Sequence, residues 1–322
     1  MATGMNSHLC QFVSAIGIKD KFGYYMISNC IGAVSFLLYV INTLFWVVPI
    51  LILSLLKFII PLAFWQKFTS YLLDGCATMW VSFNNLNQNI TASTSWQIKG
   101  LDGLSAKDWY LVIANHQSWV DILVLQRIFN RKIPFLKFFL KKELIWVPVL
   151  GLAWWALDFP FMRRYSKAFL EKHPHLKGKD LETTRKACEK FQFKPVSVMN
   201  FVEGTRFTQS KHAKQNSRSK HLLEPRAGGI AFVLSAMGKQ LDKLVDVTIH
   251  YPQGIPTFWD FISGKVKEVN VNIDLVSTKE LLALDYFDNP EQRSQFQSWL
   301  TGRWQEKDAI MESYQQNQTN AI

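Results

Sequence analysis

From Phe22 to Leu56 the chain runs 35 residues without a formal charge, bracketed by Lys21 and Lys57 and dense in Leu, Ile, Val, Phe and Trp from Ile31 onward. A bilayer-spanning helix needs roughly 20 apolar residues, whereas a cleaved signal has an apolar core of about 7–15 and a small-residue cleavage site. The stretch is too long for the second and lacks its site, so a retained membrane helix is expected. Pro49 interrupts it. Pro61 to Leu86 then mixes Phe64, Trp65, Tyr71 and Trp80 with Lys67 and Asp74, the composition of a second helix lying in the interface. The plainer alternative is one tilted span followed by a soluble connector. From Asn84 to Ser95 the residues turn to Asn, Gln, Ser and Thr, as in a linker. The pattern therefore divides the chain into membrane-anchoring helices over 1–86, a linker over 87–99 and one large domain over 100–322.

Within that domain, apolar runs suited to buried strands occur at Trp109 to Ala114, Leu157 to Met162, Val196 to Val202, Leu244 to Tyr251 and Val266 to Val276. Helical periodicity lies between them. Asp180 to Phe193 is one such helix, and Phe296, Trp299, Leu300 and Trp304 mark the core face of a C-terminal helix beginning near Pro290. Strands alternating with helices imply an α/β fold: a parallel or mixed sheet covered on both faces. There is no internal repeat.

Composition narrows the partners. The formal net charge is +11, of which residues 1–100, with five Lys and two Asp, carry +3, leaving +8 on the remainder. A basic domain fits an anionic membrane face, a phosphorylated substrate or an acidic carrier. Nucleic acid would fit the charge but not a permanent membrane segment, and no ribonucleoprotein or helix-turn-helix signature is present. The positive-inside tendency favours a cytoplasmic domain. Cys10, Cys30, Cys76 and Cys188 are scattered without CxxC spacing, which suggests neither a zinc site nor a disulfide framework. GxSxG, GxxxxGK[ST], GxGxxG and HExxH are all absent, which removes the usual support for serine-hydrolase, P-loop, dinucleotide and zincin chemistry.

Four groups remain that carry chemistry. The strand ending at Ala114 runs into Asn115-His116-Gln117-Ser118-Trp119-Val120-Asp121 and then an apolar helix, the place where α/β folds put their sites. On one continuous helix His116 and Asp121 would point about 140° apart. With His116 in the loop and Asp121 in the first helical turn they can meet, the carboxylate fixing the imidazole tautomer and His116 acting as a general base. Ser118-x-x-Asp121 equally matches a capping box, in which Asp121 only bonds backbone amides. The second group, Phe201-Val202-Glu203-Gly204-Thr205-Arg206, closes another strand with a turn that can present a guanidinium and amides to an anion; a Glu203 to Arg206 surface pair is the simpler reading. The third is Phe161-Met162-Arg163-Arg164. The fourth is the loop Thr208 to Arg226, with Lys211, Lys214, Arg218, Lys220 and Arg226 against Glu224.

Taken in order, NHQSWVD, FMRR, FVEGTR and the strand Asp246 to Pro252 resemble the four boxes of the PlsC-type glycerolipid acyltransferases, specifically the lysophosphatidate (1-acylglycerol-3-phosphate) acyltransferases. Lys141 to Gly151, Leu222 to Arg226 and Gln305 to Asp308 look like features of the YihG-like bacterial branch. The resemblance implies a glycerol-3-phosphate acyltransferase-like mixed sheet flanked by helices, with residues 100–322 as the acyltransferase domain. It implies transfer of a fatty acyl group from acyl-CoA or acyl carrier protein to the free hydroxyl of lysophosphatidate, with no cofactor and no metal. A remodelling enzyme for other lysophospholipids, or a membrane lipid-binding protein with a dead dyad, are the alternatives. By the same resemblance His116 deprotonates the hydroxyl and Asp121 orients it. Arg206, with Arg164, Lys141 and Arg226, would hold the phosphate, while Glu203, Gly204 and Thr205 would shape the acceptor site. Arg163, where many members have a neutral or acidic residue, leaves open which of Arg163 and Arg164 faces the phosphate. The expected location is a bacterial inner membrane, with the catalytic domain on the cytoplasmic side.

Overall fold

A computed structural model of the chain describes residues 21–162, 191, 194–238, 240–241 and 243–319. It opens with two long helices, α1 (Lys21–Ile59) and α2 (Ala63–Thr91). A six-stranded sheet follows, built from β1 (Ser95–Lys99), β2 (Tyr110–Ala114), β3 (Leu136–Phe138), β6 (Ser197–Phe201), β7 (Lys243–His250) and β8 (Glu268–Ser277), in the order β1-β8-β7-β2-β6-β3. All its neighbours are parallel except β7 and β8. A second, two-stranded sheet pairs β4 (Leu140–Lys141) with β5 (Phe161–Met162).

The central strand β2, YLVIA, is buried at every position because β6 and β7 flank it and both faces are covered. Its alternation sorts two cores. Tyr110, Val112 and Ala114 join the cluster packed beneath α1, α2 and α3 (Val120–Phe129); Leu111 and Ile113 join the cluster beneath α6 (Gly228–Met237) and α9 (Pro290–Thr319). The expected C-terminal helix is present, starts at Pro290, and buries Phe296, Leu300 and Trp304. Short helices α4 (Leu150–Ala156), α5 (Gln209–Gln215), α7 (Phe258–Ile262) and α8 (Lys279–Leu282) complete the domain.

Helix α1 does not break at Pro49. Proline removes one backbone donor, and the flanking Val47 and Ile50, buried against the rest of the molecule, keep the helix in line. At about 58 Å (39 residues at ~1.5 Å each) it is long and apolar enough to cross a bilayer, with only 11% of its most apolar window buried. Yet it is tied to the domain at both ends. Ser28 Oγ donates to the Ser263 carbonyl at 2.8 Å near its start, and Lys57 Nζ meets Asp158 Oδ2 at 2.5 Å near its finish.

The linker expected over 87–99 is not one. Helix α2 continues to Thr91, and Ser95–Lys99 is the edge strand β1, paired in register with β8 from Ser95↔Glu268 to Lys99↔Asn272. The polar residues that suggested a linker face α1 instead. Asn84 Oδ1 accepts from Asn42 Nδ2 at 2.8 Å, Asn87 Nδ2 donates to the Ser35 carbonyl at 3.0 Å, and Gln88 Nε2 donates to Tyr39 Oη at 2.8 Å. These polar rungs hold the two helices together. Two smaller expectations also shift. Of Leu157 to Met162 only the last two residues are strand, and the helix read over Asp180 to Phe193 lies outside the described residues, apart from Phe191.

Candidate active site

The C-terminal ends of β2 and β6 lie side by side, with Ala114 opposite Phe201, so the segments that follow them meet. His116 and Asp121 do come together: His116 Nδ1 and Asp121 Oδ2 are 2.9 Å apart. The same Oδ2 accepts the backbone N–H groups of Gln117 at 2.6 Å and Ser118 at 2.8 Å, and Oδ1 accepts Tyr251 Oη at 2.6 Å. The dyad and the cap are therefore one structure. Ser118 Oγ accepts the Val120 N–H and donates to the Pro256 carbonyl, and the returning bond from Asp121 to the Ser118 N–H holds the carboxylate in the first turn of α3.

Asp121 is wholly buried, and a buried carboxylate needs donors on its lone pairs. It has four. Tyr251, at the end of β7, is equally buried; burial first and then the Asp121 charge push its phenol well above the ordinary value, so it stays a donor. The imidazole stacks on Phe201, ring centres 3.8 Å apart and planes inclined by 12°. With Nδ1 fixed against Asp121, the remaining nitrogen, Nε2, is the one able to take a proton.

The EGTR turn is stitched to this loop from behind. The Phe207 N–H donates to the His116 carbonyl at 2.7 Å, and the His116 N–H reaches Glu203 Oε1 at 3.4 Å. Glu203 is fully buried, also touching the Leu223 N–H, and burial drives its carboxyl well above the usual range, assisted by the nearby Asp121 charge. A Glu203 side chain in contact with the acceptor is thus not what the structure has: the carboxyl faces the protein interior, where it aligns two loops. Gly204 turns the chain with φ +71°, beside the Arg226 side chain, and the Arg226 N–H donates to the Val202 carbonyl at 2.8 Å.

In front of the dyad lies a cavity of about 670 Å³ whose lining includes His116, Gly204, Thr205, Arg206 and Lys141. The rest of its wall is mostly apolar, with Thr43, Gln126 and Asn200 as polar exceptions. Phe138, Met199 and Phe201 come from the sheet, Tyr39, Trp46 and Ile50 from α1, and Trp80 from α2. Arg206 is exposed, its guanidinium 4.7 Å from the centre of the Trp119 ring, and Lys211 Nζ bonds Thr205 Oγ1 at 2.8 Å and the Arg206 carbonyl at 2.9 Å. Arg206 and Lys141 line the cavity, Arg226 and Lys211 stand beside the Gly204–Arg206 turn, and Arg163 and Arg164 lie outside the described residues. Sequence reasoning placed Lys211 only in a basic loop and Tyr251 only within the fourth-box strand, with no role of its own. Among the described residues no cluster of metal-ligating side chains occurs.

A family model described as "Acyltransferase" matches residues 95–251. The "1-acyl-sn-glycerol-3-phosphate acyltransferase delta" of Homo sapiens is 27% identical over 219 residues, covering 65% of this chain and 53% of that protein. The "1-acyl-sn-glycerol-3-phosphate acyltransferase 3" of Arabidopsis thaliana is 27% identical over 229 residues, covering 66% of this chain and 55% of that protein. The chain thus spans about half the length of the curated relatives it matches. Among solved structures, the 1-acyl-sn-glycerophosphate acyltransferase PlsC of Thermotoga maritima aligns with a TM-score of 0.44 at 16% identity, covering 84% of this chain and 95% of that one. None of these singles out the YihG-like branch.

Proposed function

We propose that the chain is a PlsC-type lysophosphatidate acyltransferase, a reading supported by its similarity to the acyltransferase family model and to named 1-acyl-sn-glycerol-3-phosphate acyltransferases; it transfers a fatty acyl group from a thioester donor to the free hydroxyl of lysophosphatidate, giving phosphatidate. The observation that carries the reading is the 2.9 Å His116–Asp121 pair beside a cavity whose mostly apolar wall also holds Arg206 and Lys141. A general base, an anion-binding rim and a hydrocarbon-sized chamber are what a lysolipid acceptor requires.

In this mechanism His116 Nε2 takes the proton of the acceptor hydroxyl as its oxygen attacks the thioester carbonyl. Asp121, held by four donors, balances the imidazolium. The tetrahedral intermediate collapses with cleavage of the C–S bond, and the thiolate leaves with the proton from His116. No acyl-enzyme forms. Arg206, Arg226, Lys141 and Lys211 hold the phosphate, and Arg164 joins them by resemblance to the second box. Both acyl-CoA and acyl carrier protein fit the basic surface as donors.

The anchoring of α1 to the domain at Ser28 and at Lys57 favours a hairpin that sits in one leaflet beside the domain rather than a span leading away from it. With a basic catalytic domain, the cytoplasmic face of a bacterial inner membrane is the proposed location. The test is purified full-length protein supplied with labelled acyl-CoA or acyl carrier protein and a panel of lysolipids. Labelled phosphatidate is the expected product; transfer only to other lysolipids would make it a remodelling enzyme, and no transfer to any acceptor would sink the reading.

A further inference from the structure

Between Glu143 and Asp158 the chain carries 14 consecutive residues, Leu144 to Leu157, with no charged, amide or hydroxyl side chain. They fold as a short 3₁₀ turn (Lys142–Trp146) and helix α4. Gly151 closes the two against each other, because a Cβ there would fall 2.1 Å from the Ile145 carbonyl oxygen. One side of this unit is spoken for: Leu144, Leu150, Ala153, Trp154 and Leu157 line the cavity in front of His116. The opposite side is apolar as well. Trp146 is 86% exposed, Leu152 54% and Trp155 49%. A compact unit that is apolar on both sides, with indoles on the outside, has no reason to face water.

Its neighbours identify what covers it. Helix α4 packs on α1, and the residue that ends the unit, Asp158, is bonded to Lys57 at the end of the apolar helix. Immediately beyond Lys57, Phe58, Ile59, Leu62 and Phe64 are all exposed, so the Lys57–Asp158 pair joins the unit to an end of the apolar helix that is itself exposed and apolar. Lys141 and Lys142 stand exposed at its start, the arrangement by which cations meet headgroups while tryptophans sit at the boundary.

We propose that residues 144–157 form a second membrane-contact element, in which Trp146, Leu152 and Trp155 insert into the interface of the same leaflet as α1. The inference rests on reading α1 as a membrane helix, but not on the reaction assigned to His116. It gives the cavity a lipid-facing wall on either side, from α1 and from α4, so that a lysolipid tail enters from the bilayer without crossing water.

The test uses full-length protein with Cys10, Cys30, Cys76 and Cys188 replaced by Ser, carrying single cysteines labelled with an environment-sensitive fluorophore. Trp146→Cys and Leu152→Cys probe the unit, Phe45→Cys the exposed face of α1, and Lys279→Cys the exposed start of α8, at the opposite end of the sheet from His116. In phosphatidylethanolamine–phosphatidylglycerol vesicles, labels at 146 and 152 should be quenched by doxyl-labelled lipid like the label at 45, and the label at 279 by aqueous iodide. Iodide quenching at 146 and 152 while 45 responds to lipid overturns the proposal, and so does shielding from both quenchers, which would mean a protein partner. Iodide quenching at 45 would instead remove the premise about α1. The measurement requires no turnover, so an inactive preparation leaves it readable.

Discussion

Tyr251 Oη donates a 2.6 Å hydrogen bond to Asp121 Oδ1 across 130 residues of sequence, joining the end of β7 to the first turn of α3. The bond makes Tyr251 a positioning residue for the dyad. Tyr251→Phe keeps the ring and removes only the donor to a buried charge, an interaction in the range of about 1.5–3 kcal/mol. Turnover should fall roughly tenfold or more while KM for both substrates stays near normal. Steady-state kinetics on the purified variant decides it: an unchanged kcat, with only thermal stability lowered, would leave Tyr251 a packing residue.

Removing the base itself should have the larger effect. General-base catalysis contributes roughly 10²–10⁴-fold, so His116→Ala should lose at least that much activity. The fold should survive, since Asp121 keeps its bonds to Gln117, Ser118 and Tyr251. Circular dichroism together with a single-turnover assay makes the comparison, and near-normal turnover would remove His116 from the mechanism.

Arg206 is exposed where it lines the cavity and stacks on Trp119 rather than being committed to a buried carboxylate. Arg206→Ala should raise KM for lysophosphatidate by about 10–100-fold, the scale of a charge-assisted bond. A lysolipid without a terminal phosphate should be affected far less. Equal losses on both acceptors would make Arg206 structural.

Glu203 predicts a pH dependence. Its folded carboxyl is held well above the ordinary 4.5 by burial. Below that value the group is protonated in folded and unfolded chains alike. As pH rises above it, the unfolded carboxyl ionises while the folded one resists, so the folded state is progressively disfavoured until the raised folded value is reached. Glu203→Gln cannot ionise. Its melting temperature relative to the parent should therefore climb as pH increases from about 4.5 towards 8. A difference independent of pH would show that Glu203 is ionised when folded.

The dyad was legible because its two members sit on one loop at a strand end, and the phosphate end because Glu203 to Arg206 follow one another. Tyr251 was not, since nothing in HYP signals a partner 130 residues away. Nor was the interior orientation of Glu203, which follows from the meeting of β2 and β6. Edge strand β1 escaped because SWQIK alternates exposed and half-buried positions without a run of apolar residues. The polar end of α2 misled for a physical reason: its amides are turned towards α1, and in sequence such a face resembles a linker.

Tyr39, Trp46 and Ile50 belong to the first helix, yet they form part of the wall of the chamber in front of His116. The helix is therefore not a tether that can be exchanged for any other hydrophobic segment. A chimera with a foreign anchor would reach the bilayer with its reaction vessel open on one side. Substitutions that retune the apolar face of this helix would reshape the cavity as well, so the two properties cannot be varied independently.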